Sequence, residues 1–97
     1  MQFLWDTEKE KANKRKHGIE FLEACYVFAD KSMLTLYDEE HSEEEDRWTT
    51  IGQTPNNLIL VVVHTYRKIK GEEAVRIISA RKATKHETKQ YLERRCR

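Results

Sequence analysis

The side chains able to do chemistry in this chain are lysines, arginines, histidines and tyrosines. Four histidines, at positions 17, 41, 64 and 86, do not fall at the spacing of metal ligands. Among only three glycines there is no phosphate-binding loop, and no GxSxG motif is present. We therefore expect no metal site and no cofactor.

The remaining groups suffice for one metal-independent reaction on a phosphodiester. In RNA, the 2′-OH attacks the adjacent phosphate when a base takes its proton. Fixed cations stabilise the dianionic phosphorane, and an acid protonates the leaving oxygen. Imidazole, ammonium, guanidinium and phenol groups are adequate for these roles, so cleavage of RNA is a chemistry open to this chain.

The stretch Ala74–Thr84 presents basic groups from a rigid element. Its apolar residues predict a strand that carries Arg76, Arg81 and Lys82 toward a chain reversal. A strand fixes where a guanidinium points, which suits a protein that binds phosphates. An edge strand that charged side chains keep soluble has the same spacing, so the spacing leaves both interpretations open.

Composition predicts a single domain over residues 1–97, with a thin core and a charged surface. Residues 38–46 hold seven of the 17 acidic residues and no Lys or Arg, and the other residues carry a formal excess of +8. The basic part could bind nucleic acid, although a solvated acidic loop in an ordinary chain gives the same numbers.

Cysteine content and hydropathy predict a cytoplasmic protein. Cys25 lies on an apolar helical pattern and is expected in the core, while Cys96 is expected to be an exposed thiol. The longest apolar run, 58–63, is too short to cross a bilayer. We therefore expect no disulfide framework and no membrane contact.

The apolar periodicity predicts an α+β fold, an antiparallel sheet of about five strands in the element order βααββββα. Strands are expected at 3–5, 33–37, 47–53, 58–67 and from 74, and helices at 7–16, 20–29 and from 84. The apolar run LILVVV implies burial on both faces, which places the fourth strand at the centre of the sheet.

The first helix has clear end signals but almost no apolar face. Thr7 and Glu10 have capping-box spacing, Glu10 precedes Lys14 by four residues, and Gly18 suits a left-handed end. Ala12 is expected to face the body of the protein. The polar stripe of this helix, which is either phosphate-facing or solubilising, consists of Lys9, Asn13, Lys16 and His17.

The last helix is expected to begin at Thr84, with Glu87 completing a capping box. Tyr91, Leu92 and Arg95 form only a weak stripe. We therefore expect this helix to be loosely held or to be completed by another chain.

Three longer patterns together resemble the BrnT family of type II toxin-antitoxin ribonucleases. They are FLWDxxKxxxNxxKHGIxFxEAxxVFxD at 3–30, DxxHSxxExRxxxIG at 38–52 and RIISARKATxxExxxY at 76–91. The resemblance implies a fold similar to RelE toxins and a ribonuclease activity that arrests translation. It also implies neutralisation by a BrnA-type antitoxin, which is a ribbon-helix-helix protein. The complex is expected to contact operator DNA only through the antitoxin and to be a heterotetramer of two toxins and two antitoxins.

The resemblance further implies site residues. The catalytic set is Arg67, Arg81, His17, His41 and Lys16, and the RNA-binding set is Lys82, Asn13, Lys9 and Glu45. We expect Arg67 and Arg81 to hold the scissile phosphate and one of the two histidines to exchange protons. The structural alternatives are a His41 bonded to its own acidic neighbours and a Glu45 paired with Arg47.

One departure from the family pattern opens a second function. The residue before Arg67 is often acidic in relatives, whereas here it is Tyr66. If that acid contributes to catalysis, this chain is a weaker enzyme or uses Tyr66 in its place. The alternative is a degenerate, non-catalytic toxin that serves as an antitoxin-binding adaptor and tunes repression.

Overall fold

A computed structural model describes residues 1–95, so Cys96 lies outside the described residues. The predicted element order is confirmed. The strands are β1 Gln2–Leu4, β2 Leu34–Tyr37, β3 Trp48–Gln53, β4 Ile59–Ile69 and β5 Glu72–Lys82. The helices are α1 Thr7–His17, α2 Phe21–Cys25 with a following 3-10 turn Tyr26–Ala29, and α3 Lys85–Arg95.

The five strands form one mixed sheet in the order β1-β5-β4-β3-β2. β4 is central, as its apolar run predicts. The pairs β2–β3, β3–β4 and β4–β5 are antiparallel. The expectation of a wholly antiparallel sheet is wrong at one edge, where β1 runs parallel to β5. A parallel pair needs a long connection, here almost the whole chain, and three residues carry no signal of direction.

Strand register divides the side chains between two faces of the sheet. The α1/α2 face carries the main core, in which β4 contributes Leu60 and Val62. The opposite α3 face carries a smaller cluster of Ile51, Val61 and Tyr91. α3 therefore covers only the part of its face near those residues.

The ends of α1 are only partly as predicted. Asp6 is the N-cap and accepts hydrogen bonds from the amides of Glu8 and Lys9 at 2.8 and 3.2 Å. Gly18 ends the helix at φ 72°, as expected. The Thr7–Glu10 capping box is wrong, because the Glu10 carboxylate accepts from the Phe21 amide at 3.0 Å. It thereby ties α1 to α2.

Two further expectations for α1 are corrected. Lys14 forms its ion pair with Glu20 at 2.7 Å and not with Glu10. Ala12 is exposed, while Asn13 is only 6% exposed and faces the sheet. The Asn13 amide donates to the carbonyls of Ile19 and Ala80 and accepts from the Ala80 N–H. Asn13 is therefore an anchor between α1 and β5 rather than part of a polar stripe.

The last helix is held more firmly than its sequence suggests. The Thr84–Glu87 capping box is confirmed, with both reciprocal hydrogen bonds present at 2.8 and 3.2 Å. The Tyr91 ring is buried and its hydroxyl donates to Asp30. Asp30 also accepts from the Gln53 amide, so one carboxylate joins α3 to the end of β3.

A buried histidine on the α1/α2 face begins a chain of hydrogen bonds that runs across three strands. His64 in β4 is fully buried and its Nε2 lies 2.7 Å from the Thr50 hydroxyl, which in turn bonds Thr35 at 2.8 Å. Within residues 1–95, its Nδ1 has no hydrogen-bond partner. Burial lowers the pKa of His64 to about 4. The imidazole is therefore neutral at pH 7.

The free energy of unfolding should fall as the pH drops from about 6.5 to about 4. The unfolded imidazole takes up its proton near 6.5 and the buried one near 4, so acid favours the unfolded chain by about 3 kcal/mol across this window. Urea titrations at pH 7 and 4.5 measure the loss. His64→Gln should lose less free energy of unfolding between these two pH values than the wild type. An equal loss in the two proteins would contradict the assignment.

Candidate functional site

Three arginines share the α3 face of the sheet. Arg67 pairs with Ala74, Arg76 with Thr65, and Arg81 with Val61. Simple alternation would put residues 76 and 81 on opposite faces. The β4–β5 register shifts between Val63 and His64, where β5 carries the extra residue Ile78, and this bulge returns Arg81 to the face of Arg76 and Arg67.

Sharing a face does not bring Arg67 and Arg81 together. Arg67 lies on β4 six residues from Val61, the β4 partner of Arg81, which is roughly 20 Å along an extended strand. Arg81 donates two hydrogen bonds to the Glu87 carboxylate, at 2.7 and 2.8 Å. Arg81 lowers the pKa of Glu87 to about 2 and its own pKa is raised. A joint grip of both arginines on one phosphate is therefore not supported by this arrangement.

Arg67 has a carboxylate partner from the acidic loop, which we define as residues 38–46. Glu45 Oε2 lies 2.8 Å from the Arg67 guanidinium, so the structural pairing expected between Glu45 and Arg47 is wrong. The β3–β4 register explains the contact, because continuing it beyond the Trp48–His64 pair puts Glu45 opposite Arg67. Both side chains are about two-fifths exposed, so the pair is open to solvent.

The acidic loop also holds His41 in a defined orientation. The Asp38 carboxylate lies 3.0 Å from His41 Nδ1. This contact agrees with the structural alternative in which His41 bonds an acidic neighbour. In the neutral ring whose Nδ1 donates to this carboxylate, the lone pair is on Nε2. Ser42 closes the loop by bonding the Asp38 carbonyl and accepting from the Arg47 amide.

These groups meet at one cavity at the end of the sheet. Its volume is about 330 Å³, and its lining residues are Glu40, His41, Glu43, Glu44, Glu45 and Arg47. Arg67 joins the cavity through its bond to Glu45. The cavity therefore brings a histidine and the Arg47 guanidinium together with four glutamates, and the Arg67 guanidinium lies beside it.

Arg47 and Arg76 were not among the expected site residues. Arg47 was interpreted as a partner of Glu45, and its place on the cavity wall depends on how the acidic loop folds. Arg76 pairs with Thr65, two ladder positions from the Arg67–Ala74 pair, and therefore lies on the same face as Arg67. The basic character of the strand was the available signal for Arg76, but the β4–β5 register that puts it on the face of Arg67 is left open by the sequence.

The other expected site residues lie elsewhere. Lys9, Lys16 and His17 belong to α1, which packs through Asn13 on the α1/α2 face. Lys82 pairs with Leu60 and so is on that face as well. Tyr66, the proposed replacement for an acid, alternates with Arg67 and also points to the α1/α2 face. It is therefore not positioned to replace a group beside Arg67.

The model of the family described as "Ribonuclease toxin, BrnT, of type II toxin-antitoxin system" matches residues 5–87. The chain belongs to the BrnT family. It is also similar to the ribonuclease toxin BrnT of Brucella abortus, known from a crystal structure at 1.1 Å, with 25% sequence identity and a TM-score of 0.64. The match covers 88% of this chain and 99% of the Brucella chain. A search of curated proteins finds no match.

Membership of the BrnT family makes this chain a ribonuclease toxin of a type II toxin-antitoxin system, which implies an antitoxin partner. The shared fold extends over nearly all of the Brucella toxin. None of the helices in residues 1–95 has the length and apolar character that crossing a bilayer requires.

The Arg81–Glu87 pair should contribute to stability. We expect a coupling energy of about 1 kcal/mol in a double-mutant cycle with alanine at both positions, because the pair is bidentate and part-buried. The depressed pKa of Glu87 means that this coupling is present above pH 4.5 and disappears as the pH falls toward 2.

The matched control is the Glu8–Lys11 pair of α1, which is 3.6 Å apart and largely exposed. Its cycle should give a coupling near zero. Equal coupling energies in the two cycles, measured by urea unfolding, would show that Arg81 does not hold α3 to the sheet.

Proposed function

We propose that this BrnT family member cleaves RNA without a metal ion at the cavity between the acidic loop and Arg67, and that the cleavage arrests translation. The observation that carries the proposal is the pair of contacts in one loop, Asp38 to His41 and Glu45 to Arg67. One contact holds a base and the other holds a cation; His41 and Glu45 line the same cavity, and Arg67 bonds that glutamate.

The proposed reaction assigns a role to each of these groups. His41 Nε2 takes the proton of a ribose 2′-OH, and the 2′ oxygen forms a bond to the adjacent phosphorus. Arg67 and Arg47 stabilise the phosphorane, whose charge exceeds that of the ground state. The bond from phosphorus to the 5′ oxygen then breaks, that oxygen receives a proton from water, and His41 returns its proton to solvent, so the products carry a cyclic phosphate and a 5′-OH.

Substrate binding requires a change at Glu45. In the free protein its carboxylate occupies Arg67, and the neighbouring acids of the loop repel a polyanion. A phosphate must therefore displace Glu45 before Arg67 can bind it. In this proposal Glu45 holds the guanidinium in place between turnovers, and it competes with the RNA.

The expected partners complete the proposal. A BrnA-type ribbon-helix-helix antitoxin would neutralise the toxin, contact operator DNA for the complex and assemble with it as two toxins and two antitoxins in the cytoplasm. The reading frame next to the gene of this chain should then encode a small ribbon-helix-helix protein.

A specific observation favours the second candidate function, a non-catalytic adaptor. Arg67 is neutralised by Glu45, and four of the six residues that line the cavity are glutamates. Such a surface binds cationic proteins more readily than RNA. A wild-type chain that binds its antitoxin but neither cleaves RNA nor arrests growth would establish the adaptor function.

RNA cleavage should persist in EDTA and depend on His41 and Arg67. We expect cyclic phosphate ends, a fall in kcat of about 10²- to 10⁴-fold for His41→Asn, and a fall of about 10²-fold for Arg67→Ala. The matched controls are His86→Asn and Arg94→Ala, exposed residues of α3, which should keep wild-type rates. Wild-type rates in both site variants would remove the site, and loss of cleavage in EDTA would remove the metal-independent mechanism.

Glu45→Gln should tighten RNA binding and leave the chemical step intact. The substitution preserves side-chain size but removes the charge that competes with phosphate for Arg67. We expect KM to fall roughly fivefold, about 1 kcal/mol, with kcat changed less than threefold. A kcat lower by 10² or more at unchanged KM would instead assign the general base to Glu45 rather than to His41.

A further inference from the structure

An aromatic patch lies on the α1/α2 face, on the other side of the sheet from Arg67. We define the aromatic patch as Tyr37, Trp48 and Tyr66. The Trp48 ring contacts both tyrosine rings edge to face, with centroid distances of 5.1 Å to Tyr37 and 5.8 Å to Tyr66. The patch spans three neighbouring strands.

The helices stop short of the aromatic patch. Phe28 in the 3-10 turn reaches His64, at a ring distance of 4.9 Å, and the main core lies on the far side of that contact. Tyr37 and Tyr66 are 44% and 39% exposed. The part of the chain that the structure describes thus leaves two exposed tyrosine rings joined through a partly buried Trp48, and contiguous exposed apolar patches mark contact surfaces.

The loop that borders the patch is acidic. It leaves the sheet at Tyr37 and returns at Trp48, and it holds seven carboxylates. The Tyr37 hydroxyl donates to Asp46 at 2.9 Å. On the other side, burial and the carboxylate of Glu73 raise the pKa of Tyr66.

We propose that the aromatic patch and the acidic loop together bind an arginine-bearing segment of a protein partner. A guanidinium stacks on the face of a tyrosine or tryptophan ring and pairs with a nearby carboxylate at the same time, so rings and acids act on one ligand. RNA bases also stack on exposed aromatic rings, but the loop carboxylates repel the phosphates that accompany them. The charge around the rings selects the cationic peptide.

The rings of this surface lie on the other face of the sheet from Arg67, and the acidic loop borders both sites. Tyr66 and Arg67 are successive residues of β4 and point to opposite faces of the sheet. A peptide on the aromatic patch would therefore leave the Arg67 side of the sheet uncovered. The binding assay needs no ribonuclease activity, so the two proposals can fail independently.

Fluorescence anisotropy with a labelled peptide of alternating arginine and serine tests the proposal. We expect saturable binding that the Tyr37→Thr/Tyr66→Thr variant weakens roughly tenfold, because two cation-ring contacts are lost. Asp46→Asn should weaken binding less, and its effect should shrink with added salt. The matched control is Tyr26→Thr, a 53% exposed tyrosine beside the Thr54–Asn56 turn, which should bind like the wild type.

Three results would overturn the proposal. Unchanged peptide affinity in the double tyrosine variant would show that the acids alone attract the peptide. Weakened binding of a short, uncleavable 2′-O-methyl RNA by the same variant would show that the rings stack on bases. Equal weakening by Tyr26→Thr would show that the effect is not specific to the aromatic patch. The melting temperature of the Tyr37→Thr variant shows separately whether substitution in the patch preserves the fold.

Discussion

The pairing of β4 with β5, and the bulge within it, is the constraint on which the rest of the structure depends. Eleven residues on each strand form the centre of the sheet, and both cores are built on them. The extra residue Ile78 restores Arg81 to the face of Arg67. Without it, the side chains of the C-terminal half of β5 would change faces, so Ala80 would leave the main core and Asn13 would lose its partner.

Each of the two arginines that the sequence singles out is held by a carboxylate, with opposite consequences. Glu87 belongs to a capping box and is partly buried, so its bond to Arg81 fastens α3 to the sheet. Glu45 belongs to an exposed loop, so its bond to Arg67 can be exchanged for another anion at little cost in free energy. The same type of ion pair is structural in one place and replaceable in the other because Glu87 is less exposed than Glu45 and is also held by its helix cap.

The features that could be predicted from the sequence are those set by local chemistry. The central β4, the Gly18 helix end and the Thr84–Glu87 cap follow from a few adjacent residues, and all three are confirmed. The parallel β1 and the burial of Asn13 depend on partners far along the chain, so local patterns missed them. The candidate site was predicted in part for the same reason. His41 and Glu45 share one loop, whereas their relation to Arg67 depends on the register of strands.

The alternation of β4 gives this small domain two usable surfaces in one strand. Arg67 bonds Glu45 of the acidic loop while Tyr66 belongs to the aromatic patch, and the loop between β2 and β3 borders both. Glu45 of this loop neutralises Arg67 on one side, and Asp46 accepts from the Tyr37 hydroxyl on the other. A cationic segment bound there would screen the loop charges that repel RNA. Occupation of one face would therefore change the electrostatic potential at the other without any movement of the sheet.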